Sequence, residues 1–176
     1  MYKKILLCGA VALIVPFMAT GCELKKSSSQ GNKEVNVGEQ AFKVYNVKYL
    51  DKDVTPGKKF DYKDLDTTEK PKITTTTGCA LYGMDHVYTY KDIEIVTNID
   101  DTDKSETVYS VYFITDKVAT PEGIKIGSTV DELVQALGDN YDEFNGTYTF
   151  TGQGVYITIQ TKKNVVTSIE YIMITN

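Results

Sequence analysis

Arginine is missing altogether: all 19 basic residues of the 176-residue chain are lysine. Without guanidinium forks there is nothing to grip phosphates or base edges bidentately, and the formal charge of −5 repels polyanions, so no nucleic-acid partner is expected. Histidine occurs once. The sequence contains no Gly-x-Ser-x-Gly, His-Glu-x-x-His, Cys-x-x-Cys or phosphate-loop pattern, and no cofactor is expected. What remains, 41% hydrophobic and 24% charged residues, is an ordinary globular composition with room for one domain or two small ones.

The first residues have the three zones of an export signal. Lys3 and Lys4 precede an apolar run from Ile5 to Met18, followed by Ala19, Thr20, Gly21 and Cys22. The run is too short to cross a bilayer core of about 30 Å, which takes roughly 20 residues, and the small residues after it suit a peptidase. Residues 1–21 are therefore expected to be removed. The boundary resembles the lipobox of bacterial lipoproteins, with Ala19 standing where leucine is commoner. That resemblance implies lipidation at Cys22, which becomes the new N-terminus. Two acyl chains hold a protein on a membrane where one does so only marginally, at about 0.8 kcal/mol per buried methylene. Of three cysteines, Cys8 leaves with the signal and Cys22 carries the lipid. Cys79 is left without an internal disulfide partner, so the core must supply the stability.

Residues 22–40 are rich in Lys, Ser, Gln, Asn, Gly and Glu and cannot bury enough surface to offset their ordering entropy. They read as a flexible tether. The folded part begins at about Ala41. In Gly127–Gly138, Val130, Leu133, Val134 and Leu137 form one apolar stripe at helical spacing, Thr129 and Glu132 make a capping-box pattern, and Gly138 ends the run. Strands are predicted at Gly146–Thr151, Val155–Gln160 and Val165–Ile174, with turns at Gly152-Gln-Gly154 and Lys162-Lys-Asn164. Val155, Ile157 and Ile159 alternate with Tyr156, Thr158 and Gln160, the period of a sheet with two unlike faces.

The same pattern occurs earlier. Tyr88-Thr-Tyr90 matches Tyr148-Thr-Phe150 at an offset of 60 residues, and Val108–Ile114 matches Val166–Ile172 at an offset of 58. Near-constant spacing argues for an internal duplication. The expected fold is α+β: two tandem repeats, 41–116 and 117–176, each a short helix plus an antiparallel β-meander, with the helices on one face of the sheet. The first helix, at Gly57–Leu65, is degenerate, having only Phe60, Tyr62 and Leu65 to bury.

The stretch Thr120–Gly127, the helix, Gly138, Tyr-Thr-Phe and the closing Val-Thr-Ser-Ile-Glu-Tyr resemble uncharacterised surface lipoproteins of Gram-positive gut bacteria. More distantly they are similar to the tandem-repeat β-lactamase-inhibitor-protein-like fold and to outer-membrane assembly lipoproteins of the SmpA/OmlA type. The resemblance covers roughly Thr77 to Ile172, including Gly78–Gly83. It implies helices on one sheet face and a protein partner on the other, and it carries over no contact residue.

Three groups are candidates for chemistry. Cys79, Asp85 and His86 could form a nucleophile-and-base set if a turn brought them together, although a small buried thiol and a turn or surface histidine are the commoner explanation of such residues. Asn98, Asp100, Asp101, Asp103 and Glu106 could offer oxygens to calcium, yet they lack the glycine and distal bidentate Glu of a known loop, and a solvated hairpin tip explains them. If the helix covers the apolar set, Tyr112, Tyr156, Thr158 and Glu170 project from the other face. Tyrosine gives stiff, half-polar contact area there; it is also simply favoured in strands. The function expected from these residues is non-enzymatic: a lipoprotein on the outer face of the bacterial cell membrane that binds an envelope or extracellular protein or peptide. The alternatives are a cell-envelope enzyme or accessory subunit using carboxylates or Cys79 and His86, and a small solute-binding lipoprotein. About 136 folded residues are few for the two lobes of the last.

Overall fold

The computed structural model describes residues 43–65, 67–78 and 83–175. The signal at 1–21, the tether at 22–40, Cys22 and Cys79 lie outside the described residues.

Two meanders meet edge to edge. The first runs through β4 (Lys72–Thr77), β5 (Met84–Thr89), β6 (Ile93–Ile99) and β7 (Glu106–Phe113). The second runs through β8 (Asp142–Phe144), β9 (Thr147–Thr151), β10 (Val155–Lys162) and β11 (Val165–Met173). β7 pairs with β11, giving the order β4-β5-β6-β7-β11-β10-β9-β8, antiparallel throughout. Ahead of them come a two-residue hairpin, β1 (Lys48–Tyr49) with β2 (Lys52–Asp53), and β3 (Lys59–Phe60), which pairs with the start of β7.

The expected α+β architecture of two helix-plus-meander repeats is overturned. The described residues form one large antiparallel sheet and a separate two-stranded hairpin, and among them the single α-helix is α1 (Val130–Leu137). At the corresponding place in the first half, Phe60 enters strand pairing opposite Glu106 and only a 3-10 turn, Tyr62–Asp64, follows. The apolar spacing of Phe60, Tyr62 and Leu65 offers no stripe long enough to hold a helix against the sheet, and an isolated turn is not self-sustaining.

The halves still share their backbone scheme. Gly57 donates to the Val108 carbonyl and Val108 to Lys58, as Gly127 donates to Val166 and Val166 to Ser128. Each meander also has one β-bulge in the same place: Tyr109 is the extra residue in β7, and Thr167 in β11. The matched strands meet at Tyr112 and Glu170, which are equivalent at the offset of 58 and are register partners across the β7–β11 seam.

One face of the sheet is covered. Ile95, Val111, Phe113, Phe150, Ile157, Ile159, Ile169 and Tyr171 are fully buried or nearly so beneath three segments. These are Tyr45–Tyr49, the loop carrying Val118 and Ile124, and α1 through Leu133 and Leu137. The helix starts at the capping box: Glu132 N–H donates to Thr129 Oγ1 at 3.2 Å and Thr129 N–H to Glu132 Oε2 at 2.7 Å. Gly138, at φ +93°, ends it. One apolar stripe on an eight-residue helix, buried at Leu133 and Leu137, suffices because the sheet beneath supplies the apolar partner.

Candidate functional site

Strand alternation sends every second residue to the opposite face, and the register builds two rows there. The first crosses all eight strands: Lys72, Thr89, Glu94, Tyr112, Glu170, Thr158, Thr149 and Asp142 are successive cross-strand partners. The second contains Thr74, Val87, Val96, Ser110, Ile172, Tyr156 and Thr151. All four residues expected on the outer face, Tyr112, Tyr156, Thr158 and Glu170, therefore lie in adjoining positions on β7, β10 and β11. Tyr109 does not share the inward parity of Val111 and Phe113, because the bulge interrupts the alternation.

Cross-strand neighbours stand about 5 Å apart, so Glu94 and Glu170 bracket the Tyr112 ring. Thr89 Oγ1 donates to Glu94 at 3.1 Å. Burial pushes the Glu170 carboxyl above its ordinary value, a Ser110 hydrogen bond opposes this, and the charge of Glu94 adds to the rise. Tyr112 is 37% exposed. Within the two rows the only cation is Lys72, on the edge strand; Lys59 and Lys162 stand at strand ends, outside them.

A second polar cluster lies at the rim of the covered face, and sequence reasoning did not assemble it. Glu106, at the start of β7, accepts from Tyr88 Oη at 2.9 Å, from the Thr97 hydroxyl, and pairs with His86 Nδ1 at 3.0 Å. Phe60 and Tyr62 pack on the Tyr88 ring, with centroids 5.1 and 5.6 Å away. An open cleft of about 590 Å³ lies over Phe60, Tyr62 and Glu106. Burial, then the Glu106 hydrogen bond and charge, drive the Tyr88 phenol far upward, so it stays a protonated donor. With both carboxylate oxygens accepting, Glu106 is a tie between strands.

Asp85 and His86 are adjacent on β5 and project to opposite faces. Asp85 accepts from Asn98 Nδ2 at 3.0 Å, and the groups facing His86 Nδ1 are Glu106 and the Tyr88 hydroxyl. The aspartate thus does not orient the histidine. In the β6–β7 hairpin, Asp100 accepts from the Thr102 amide at 2.7 Å, Asp103 from the Ser105 amide at 2.8 Å, and Asp101 pairs with Lys104 at 3.6 Å. The carboxylates cap their own turn. Among the described residues, no three His, Cys, Asp or Glu side chains converge to hold a metal ion, and no helix is long and apolar enough to cross a membrane.

Compared with protein-family models, with curated proteins and with solved structures, the chain matches none.

Proposed function

We propose that this chain is a lipid-anchored protein of the outer face of a bacterial cell membrane, and that its uncovered sheet face binds an envelope or extracellular protein or peptide without catalysing a reaction. The observation that carries this reading is the contiguity of Tyr112, Tyr156, Thr158 and Glu170 on the face opposite the buried core, where Tyr112 is exposed and the other three are partly exposed. Large half-exposed tyrosines on rigid strands give contact area at little entropic cost. Export and anchoring are supported by the Lys3-Lys4, Ile5–Met18 and Ala19–Cys22 pattern, with the polar stretch behind it giving reach from the membrane.

The decisive variant is Tyr112→Ala with Tyr156→Ala, compared with wild type for thermal stability and for binding to the partner recovered from the native envelope. The melt stays within a few degrees, while binding weakens by at least about 2 kcal/mol for each hot-spot ring lost. Unchanged binding would remove the face from consideration. For the anchor, Cys22→Ala abolishes acyl labelling and blocks processing; continued labelling of that variant would exclude Cys22 as the lipid site.

A further inference from the structure

We infer that the partner presents a lysine- or arginine-bearing extended segment to this face, one cationic side chain lying over Tyr112 between Glu94 and Glu170. The inference rests on the proposed reading of the face as the binding surface, and it specifies the chemistry of what binds.

Charge and register carry the argument. Glu94 on β6, Tyr112 on β7 and Glu170 on β11 are consecutive partners in one row, so two carboxylates flank one phenol ring, with their backbones about 10 Å apart. That span accommodates a single ammonium or guanidinium resting on the ring face, where the aromatic quadrupole attracts cations, with an oxygen on either side. Both carboxylates are held in place, Glu94 by the Thr89 hydroxyl and Glu170 by Ser110.

Neither has a countercharge among the described residues. Among the described residues the ion pairs are His86 with Glu106, Asp101 with Lys104 and Asp116 with Lys117. A half-buried carboxylate facing a second carboxylate is unfavourable in the free protein, and a cation from outside relieves both terms at once. The rest of the patch suits a polypeptide more than a free amine. Val87, Val96, Ile172 and Tyr156 give the adjoining row its apolar contact area on either side of Ser110, and threonines at 89, 149 and 158 continue the charged row outward. An anionic lipid surface is disfavoured by the sign of the face, which carries Glu94, Glu170 and Asp142 against Lys72 in that row.

The test uses the full chain in detergent micelles and three acetylated, amidated peptides of alternating valine with lysine, glutamine or glutamate, followed by fluorescence anisotropy at low and physiological salt. The lysine peptide binds most tightly and weakens with salt, and the glutamate peptide does not bind. Glu94→Gln with Glu170→Gln, confirmed folded by circular dichroism, weakens the lysine peptide about tenfold or more and leaves the glutamine peptide unchanged. Asp131→Asn on α1 changes neither. The inference is overturned if the lysine peptide binds wild type no better than the glutamine peptide does, or binds the double variant as well as it binds wild type. Tyr156→Ala separates the two levels. If it weakens both the lysine and glutamine peptides while the Glu variants have no effect, the face binds and the cation seat is wrong; if it affects no peptide, the binding-face reading itself fails.

Discussion

Truncating Leu133 to Ala measures how firmly α1 is fastened to the sheet. The side chain is 0% exposed and belongs to the one buried cluster under the helix, so the whole transfer term applies. Three lost carbons at about 0.8 kcal/mol each give roughly 2.4 kcal/mol. The unfilled space adds to this, placing the total within the range of about 2–5 kcal/mol observed for such truncations. Gln135, two residues on, is exposed on the same eight-residue helix. Its change to Ala removes no buried surface and falls within about 0.5 kcal/mol. Urea and thermal unfolding followed by circular dichroism separate the two, with Leu133→Ala melting about 8–15 °C lower for a domain of this size. Melting points within a degree or two of each other would mean that the stripe does not seat on the sheet. The covered and uncovered faces would then have been assigned wrongly.

Gly152→Ala places a methyl group against the buried Tyr45 ring and 2.6 Å from the Lys43 carbonyl, so overpacking lowers stability by about 1–3 kcal/mol, measured by urea unfolding. The loss vanishes if the 43–49 segment does not pack on the β9–β10 turn. Glu170 has a folded-state pKa above its unfolded value, caused first by burial and then by Glu94. The native state therefore holds its proton more tightly, and this contribution to stability is full below the unfolded pKa and lost as pH rises through the folded one. Glu170→Gln accordingly gains stability at neutral pH, by no more than about 1 kcal/mol after solvent screening, and the gain shrinks toward zero in acid. A gain that is the same at pH 3 and pH 7 would contradict the assignment.

The parts legible in the sequence are those fixed by local chemistry. Thr129, Glu132 and Gly138 bracket α1 with a cap at each end, and the alternation in Val155–Gln160 survives because nothing interrupts that stretch. At the Lys162-Lys-Asn164 turn the structure has Lys163 and Asn164 both in the left-handed region, φ +52° and +63°, as a tight hairpin requires. Other elements depended on distant residues. β4, Lys-Ile-Thr-Thr-Thr-Thr, is exposed along its whole length and has no hydrophobic alternation to announce it. Leu50 and Asp51, at φ +49° and +62°, turn the first hairpin without the usual Asn or Gly. The first-half helix was expected from duplication and failed because Phe60 gains more in β-pairing and on the Tyr88 ring. At the candidate site, parity alone placed Tyr112, Tyr156, Thr158 and Glu170 on one side. Glu94 beside Tyr112 needed the β6–β7 register, and the Glu106 tie needed three strands at once.

The most direct measurement puts a photo-crosslinking benzoylphenylalanine at position 112 or 156, and in separate strains at Gln135 on the covered side, and irradiates the anchored protein in its native envelope. Protein adducts are expected from positions 112 and 156 and none from 135. Adducts from 135 with none from the sheet positions would contradict it.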